Sequence, residues 1–392
     1  MSEPEQTSQT EQTPEQLEEA RQYDRAQLKL TLIDKAVDFL FLGVMAFVFA
    51  KPLGDWIAGQ PWVTTATLQA LAIVAIVFAL HVIVSLPISF YGGFVLEHKF
   101  NLSKMTFGGW LWKKVKLWIL TGLMECALMT GLFLLIVYTG VWWIPLSILV
   151  FFVLNFVLGM LLPVLILPLF YKIDRVDNET LLAGLKRLTE PTTLTLEGVY
   201  KMNMSEETVK ANAMLTGFGK TRRVILGDTL LSNFEQDEIE TVFAHEIGHH
   251  VHAHLWKMIP ISLVFSLVAF ALCDLFIRGL SAQYMESFSY AALEPWIIVP
   301  IEFFFMTIFS LYEPFNNAVS RRFERQADAY ALEHCGADAY TRAFSRLATL
   351  NKADPNPPRW AVIWFDSHPP IGERIAMAKE AVGNRKLLAI SR

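Results

Sequence analysis

Long apolar runs alternate along the chain with stretches of mixed charge. A run of about 20 apolar residues spans a bilayer. Six runs approach or exceed that length, at 37–58, 66–92, 117–139, 142–171, 257–279 and 295–315. Lys51, Pro52 and Asp55 interrupt the first, and Pro163 and Pro168 are expected to kink the fourth or end it early. Residues 1–30 are rich in Glu, Gln, Thr and Pro, cannot supply a core, and are expected to form a disordered polar tail. The tail lacks the basic-then-apolar order of a secretory signal. The pattern divides the rest into four spans (31–171), a soluble-looking segment (172–256), two spans (257–315) and a second soluble-looking segment (316–392).

Within the soluble-looking segments the periodicity changes. Residues 178–189 have a helical pattern with Asn178 or Asp177 as cap. Residues 195–201 and 210–217 have strand character, and "GFGKT" followed by "RRVILGD" makes 210–227 a predicted hairpin. Residues 235–255 are predicted to form one long helix running into the fifth span.

Composition agrees with a membrane protein: 53% of residues are apolar and 18% charged, against about 25% charged in soluble domains. The net charge of −5 and the lack of a basic aromatic stripe give no support to nucleic-acid binding. Cys126, Cys273 and Cys335 are far apart with no Cys-x-x-Cys, which disfavours a disulfide framework or a thiolate metal site. The connection 93–116 carries Lys99, Lys104, Lys113, Lys114 and Lys116, whereas 59–65 and 140–141 carry no Lys or Arg. The basic loop should therefore face the cytoplasm, and an even number of spans puts both soluble segments on that side.

"TVFAHEIGHHVHAHLW", Thr241 to Trp256, holds five of the nine histidines. At about 100° per residue, with His245 at zero, His249 falls near 40° and His252 near −20°, while His250 and His254 point away at about 140° and 180°. His245 and His249 with Glu246 form H-E-x-x-H, the helical zinc-hydrolase motif in which two imidazoles bind metal and the carboxylate takes a proton from water. The match alone is moderately specific. His250 and His254 are expected to be polar or interfacial, and His252 to play a supporting or purely structural part. A catalytic zinc site wants a third protein ligand. Six residues after His249 stands Leu255, so the metzincin pattern fails. "SRRFERQADAYAL" offers Glu324 as ligand and, four residues on, Asp328 as acceptor for a ligating histidine; a solvated, salt-bridged helix is the plain alternative.

With these residues in view, the sequence resembles the membrane-integral zinc CAAX prenyl endopeptidases of the a-factor-converting type. The resemblance covers roughly 80–392 and rests on "LEHKFNLSKMTFGGWLWKKVK", "NAMLTGFGKTRRVILGDTLL", "HEIGH", "SRRFERQADAYA" and "HPPIGERI". Taken with the six apolar runs and the Glu324 candidate ligand, it implies a mainly α fold: a polytopic helical membrane protein of about six spans with an α+β metalloprotease domain and a thermolysin-like site. It implies one Zn²⁺ held by His245, His249 and Glu324, Glu246 as general base, and Asp328 as a partner carboxylate. His368 and Arg374 would contact substrate and stabilise the oxyanion, and Asn212 would lie beside the site on an edge strand that an extended peptide could join. Substrates would be peptides or membrane-associated proteins, prenylated CAAX peptides among them, cut near the C-terminus.

Eukaryotic members have seven spans around an intramembrane chamber; six are found here, with the polar tail in place of the first. Polar residues within the spans are costly against lipid, so Glu125 and Glu302 are candidates to line a wet cavity, as are His81, Asn155 and Asp274. The localisation expected is a multi-pass membrane protein with a cytoplasmic-facing site, in a bacterial inner membrane rather than the endoplasmic reticulum. Three rivals stand beside this reading. One is a heat-shock type quality-control membrane protease without prenyl specificity. Another is a site-2-type intramembrane protease, disfavoured because the motif precedes a span. The last is a non-catalytic scaffold or transporter, against which the intact ligand set argues.

Overall fold

The computed structural model describes residues 12–390. Of the tail expected to be disordered (1–30), residues 1–11 lie outside the described residues and the chain is helical from Pro14. Helix α1 (Pro14–Val44) begins with a capping box in which the Thr13 hydroxyl accepts from the Gln16 amide while the Gln16 side chain accepts from Thr13 N. Its polar composition is compatible with order because this helix is held by neighbours rather than by a core of its own. Tyr23 is buried against Phe100, and the Asp24 carboxylate accepts from the Asp354 amide. A π-helical turn leads into α2 (Ala50–Ala58), where Pro52 sits in the first turn and costs no hydrogen bond.

The membrane portion continues with α3 (Ala66–Phe90), the short α4 (Glu97–Lys99), α5 (Phe107–Thr139) and α6 (Trp143–Leu161). Gly140 turns the chain between α5 and α6 at φ 54°, a conformation that suits glycine. Pro163 opens the π-helical turn that follows α6. Among the described residues, four helical segments are long and apolar enough to cross a membrane: Ala66–Lys99, Phe107–Leu169, His254–Ser281 and Pro295–Cys335. Their outer faces stay apolar, with Ile119, Leu123, Val264 and Leu275 all exposed, as a lipid-facing surface requires. Inside the bundle, Ile73, Val77, Phe133, Trp143, Cys273 and Trp296 form one buried cluster.

The soluble portion is α+β. Strand β1 (Ile173–Arg175) precedes α7 (Glu179–Thr189), which Asn178 caps by accepting from Leu181 N at 3.1 Å. Strands β2 (Gly198–Met202), β3 (Ala213–Thr216) and β4 (Arg223–Gly227) complete a four-stranded sheet of order β1-β2-β4-β3. The predicted hairpin is β3 against β4, antiparallel, with Met214 opposite Ile225; β2 pairs parallel to β4, and β3 is an edge.

Helix α8 (Asp228–Asn233) leads to α9 (Gln236–Val251). The chain then breaks at His252 and Ala253, where Ala253 takes a left-handed conformation (φ 53°, ψ 37°), and α10 (His254–Ser281) starts in a new direction. The single helix expected over 235–255 is thus two. Helix α11 (Ile298–Cys335) runs unbroken from the membrane into the soluble portion, and at 1.5 Å per residue its 38 residues extend about 57 Å. The chain closes with α12 (Ala337–Asn351), α13 (Arg359–Phe365) and α14 (Ile371–Ile390). Helices α9, α11, α12 and β4 share a core containing Leu226, Phe243, Ile247, Tyr340 and Phe344. The basic loop after α4 packs on this portion: Lys104 N donates to Glu207 O at 2.9 Å, and Lys113 pairs with the Glu207 carboxylate.

Candidate metal centre

Helices α9 and α11 cross where both carry small residues. A Cβ added to Gly248 would stand 2.7 Å from Ala327 Cα, so glycine is what lets the two backbones touch. This contact brings the motif histidines of α9 against Glu324 and Asp328, which lie one turn apart on α11. His245, His249 and Glu324 offer ligand atoms that all fall within 4.8 Å of one another. The two Nε2 atoms are 3.3 Å apart, and Glu324 lies 3.2 Å from His245 Nε2 and 3.3 Å from His249 Nε2.

Each imidazole is held from behind. His245 Nδ1 is 2.9 Å from Asp328 Oδ1, so its N–H donates there and its Nε2 lone pair faces the centre. Arg374, on α14, grips the fully buried Asp328 with two guanidinium nitrogens, Nε donating to Oδ2 at 3.0 Å, and stacks over the Phe344 ring at 3.9 Å. His249 Nδ1 is 2.9 Å from His254 Nδ1, and His254 Nε2 is 2.9 Å from Gln326 Oε1. This relay fixes the His249 tautomer with Nε2 towards the centre. His254 is buried and stacks on Phe323 at 4.3 Å.

The residues fit a zinc ion on three counts. Two neutral imidazoles and a carboxylate are the donor set that zinc takes with one position left open. Glu324 Oε2 is buried with no hydrogen-bond partner among the described residues, which a cation would satisfy. The electrostatics ask for positive charge as well. Burial alone would lower the pKa of His245, but the hydrogen bonds of Asp328 and Glu324 outweigh it and raise the group to about 9.

A cavity of about 1070 Å³ opens onto this centre, lined by His245, Glu246, Asn212, His368 and Arg374. Glu246 has no hydrogen-bond partner among the described residues and is half-buried at the cavity wall. His368 Nε2 lies 3.4 Å from Glu324 Oε1, and its Nδ1 meets Ser367 Oγ at 2.9 Å. Burial pushes the pKa of His368 below its ordinary value; the Glu324 charge opposes that and the Arg374 charge adds to it. Asn212 precedes β3, and its backbone oxygen accepts from Gly227 N at 2.9 Å.

The structure brings His245, Glu246, His249, Glu324, Asp328, His368, Arg374 and Asn212 together around one centre and its cavity, while Glu125 and Glu302 lie elsewhere and the flanking histidines differ from expectation. His254 is the partner of a motif histidine, although projection along one helix turned it away; the break at Ala253 is what returns it, and no local sequence signal marks that break. His252 stacks on His254 at 5.6 Å and lies edge-on to Tyr330. His250 faces Arg222 and Thr193, away from the centre. Arg374 is buried behind His245, bound to Asp328, rather than free at the cavity surface. Glu125 and Glu302 do not line this cavity; they belong to α5 and α11, and Glu302 Oε2 is buried with no hydrogen-bond partner among the described residues.

Fold and site together define a multi-pass membrane metallohydrolase with a helix-borne His-Glu-x-x-His centre. Residues 176–382 match the model of peptidase family M48, and the chain belongs to that family of zinc-dependent metalloproteases. Residues 2–172 match a second model, described as the CAAX prenyl protease N-terminal segment with five membrane helices. The chain is 28% identical over 378 residues to an uncharacterised metalloprotease, YhfN, of Bacillus subtilis, covering 94% of this chain and 86% of that one. It is 28% identical over 336 residues to CAAX prenyl protease 1 of Saccharomyces cerevisiae, covering 81% and 73%. The fold is similar to the crystal structure of Ste24p from S. mikatae, with a TM-score of 0.80, 23% identity, and coverage of 94% and 89%. The protein is a membrane zinc endopeptidase.

Proposed function

We propose that this endopeptidase cuts near the C-terminus of peptides or membrane-associated proteins, with prenylated CAAX sequences as its substrate class. The observation that carries the reading is the meeting of Glu246 and the His245–His249–Glu324 centre in one cavity beside an open strand edge. The similarity to CAAX prenyl protease 1 supports the substrate class.

His245, His249 and Glu324 would hold one zinc ion, which supplies a Lewis acid for the scissile carbonyl and lowers the pKa of water from about 15.7 to about 7. Glu246, with no partner competing for it, takes the proton of the attacking water as its oxygen adds to the carbonyl carbon. His368 donates from Nε2 to the carbonyl oxygen as negative charge builds there. As the C–N bond breaks, Glu246 returns the proton to the leaving amine. Asp328 holds His245 in the competent tautomer, Arg374 holds Asp328, and Asn212 with the free edge of β3 orients an extended substrate.

The membrane arrangement we infer has six passes, formed by α1–α2, α3, α5, α6, α10 and α11. The basic loop after α4 touches the soluble portion through Lys104 and Lys113. Loop and catalytic site thus share one side of the membrane, which the positive-inside rule assigns to the cytoplasm. A bacterial inner membrane is the setting we favour.

The test is Glu246→Gln, purified in detergent beside wild type, with bound zinc measured and both assayed on a quenched peptide ending in a farnesylated CAAX sequence and on its unprenylated twin. We expect about one zinc in each protein and hydrolysis by wild type alone, faster on the prenylated peptide. A mutant that cleaves near the wild-type rate would rule out Glu246 as base.

A further inference from the structure

The catalytic cavity has a wall that the zinc chemistry does not use. It is the N-terminal half of α1, whose Arg21, Asp24, Leu28, Thr31 and Lys35 follow each other at spacings of three and four, with Arg25 beside them, and all six line the cavity. At that spacing they form one stripe along a helix.

The opposite face of α1 is clamped. Lys210 Nζ donates to the Tyr23 hydroxyl at 2.8 Å and to Glu97 Oε1 at 3.0 Å, and Gln27 Nε2 donates to the same two groups at 2.7 and 3.1 Å. Lys352 pairs with Glu19. The cavity-facing stripe is thus held in place by residues other than its own. Within that stripe Lys35 is paired with Glu313 at 2.8 Å, and Asp24 accepts from the Asp354 amide. Arg21 and Arg25, one turn apart, have no ion pair or hydrogen-bond acceptor among the described residues.

We propose that Arg21 and Arg25 form the subsite for the C-terminal carboxylate of the peptide substrate. This deepens the peptidase reading above and rests on it. The strand edge supplies the direction. A peptide added antiparallel to β3 runs from Thr216 towards Ala213, and its carboxyl end arrives beside Asn212, Ala211 and Lys210. There Ala211 and Asn212 line the same cavity as Arg21 and Arg25 of α1. A peptide added in the opposite sense would carry its carboxylate to the Thr216 end of β3 and leave the two guanidiniums without an anionic partner. Guanidinium forks suit a carboxylate better than an ammonium of lysine would. The two arginines therefore set the direction in which the chain lies on β3 and tie the scissile bond to a short, fixed distance from the C-terminus.

The experiment measures binding, so that it does not depend on turnover. A fluorescent S-farnesyl-Cys-Val-Ile-Met peptide, as free acid and as C-terminal amide, is titrated into the full-length zinc-loaded Glu246→Gln protein in detergent. The free acid should bind at least about tenfold more tightly, as loss of a charged hydrogen-bonded contact predicts. Adding Arg21→Gln and Arg25→Gln should reduce that ratio to near one, and Arg21→Lys with Arg25→Lys should restore part of it. Zinc content and the thermal unfolding midpoint report whether the glutamine variant is folded, since neither side chain belongs to the clamp. Equal binding of acid and amide, or an acid preference that survives the double glutamine variant, overturns the subsite. Wild-type hydrolysis of the amide peptide tests the peptidase reading by itself: a wild type that hydrolyses acid and amide at the same rate is a peptidase without this subsite.

Discussion

His254 Nδ1 stands 2.9 Å from His249 Nδ1, with the ring of His254 buried between Phe323 and the motif helix. Two imidazole nitrogens at that distance share one proton, and Gln326 settles which one carries it by accepting from the far side of His254. Groups that orient a metal-ligating histidine typically change metal affinity 10- to 100-fold when removed. His254→Ala should weaken zinc binding by about that factor, whereas His250→Ala should leave it within about twofold. Competition against a zinc chelator measures both. Equal affinities for the two variants would reduce His254 to a packing residue.

Arg374 makes two bonds to a carboxylate that has no access to solvent. Its removal leaves the buried Asp328 charge with only the neutral His245 N–H as partner, and loss of one member of a buried ion pair typically costs about 3–5 kcal/mol. Arg374→Ala should thus lower both the unfolding midpoint and the zinc affinity. Loss of an oxyanion donor instead costs about 10²- to 10³-fold in rate with the fold intact. A variant with normal unfolding and normal zinc content but a low rate would move Arg374 from positioning to transition-state stabilisation.

Gly248 is the contact point of α9 and α11, and a Cβ there meets backbone atoms of Ala327. Backbone cannot rotate aside as a side chain can, so Gly248→Val should push the helices apart. Overpacking of this kind costs about 1–3 kcal/mol. The larger effect should be on zinc, since the displacement separates His245 and His249 from Glu324. Gel filtration should still find folded protein, with zinc content well below one per chain; full zinc content would show that the crossing tolerates bulk.

Burial raises the pKa of Asp24 from 3.8 to about 6, although the hydrogen bond from the Asp354 amide works against the shift. A raised carboxyl binds its proton more tightly in the folded state than in the unfolded one. Stability therefore falls as pH rises from about 3.8 to 6, and the penalty is complete above that window. Asp24→Asn keeps an acceptor for the amide and never ionises. Its unfolding midpoint in detergent should exceed that of wild type by a few degrees at pH 7.5, and the gain should vanish below pH 4. A gain independent of pH would locate the effect elsewhere.

Much of the chemistry was legible in the residues. Apolar run length marks the membrane segments because a bilayer core has a fixed thickness. The Asn178 cap and the hairpin over 210–227 are written in local backbone preferences. His245, Glu246 and His249 are fixed by four-residue spacing on one helix, since that geometry is the same in every helix. Glu324 and Asp328 could be named as candidates by the same spacing, and the motif order supplied the family resemblance.

Other features depend on contacts between distant segments. Nothing near Ala253 announces that one helix becomes two, so helical projection sent His254 to the wrong face. The polar composition of residues 14–30 resembles that of a disordered tail; their order comes from partners at Glu97, Lys210, Lys352 and Asp354, between 70 and 333 residues away. Arg374 looks the same in sequence whether it faces a substrate or a buried carboxylate. The sequence by itself determined the candidate ligand types, the candidate base and the segments apolar enough to cross a membrane, because these rest on local geometry and composition. Only the tertiary structure decided which groups hold the ligands in place and which helix walls the cavity, because both depend on close approach between elements whose separation the chain does not encode locally.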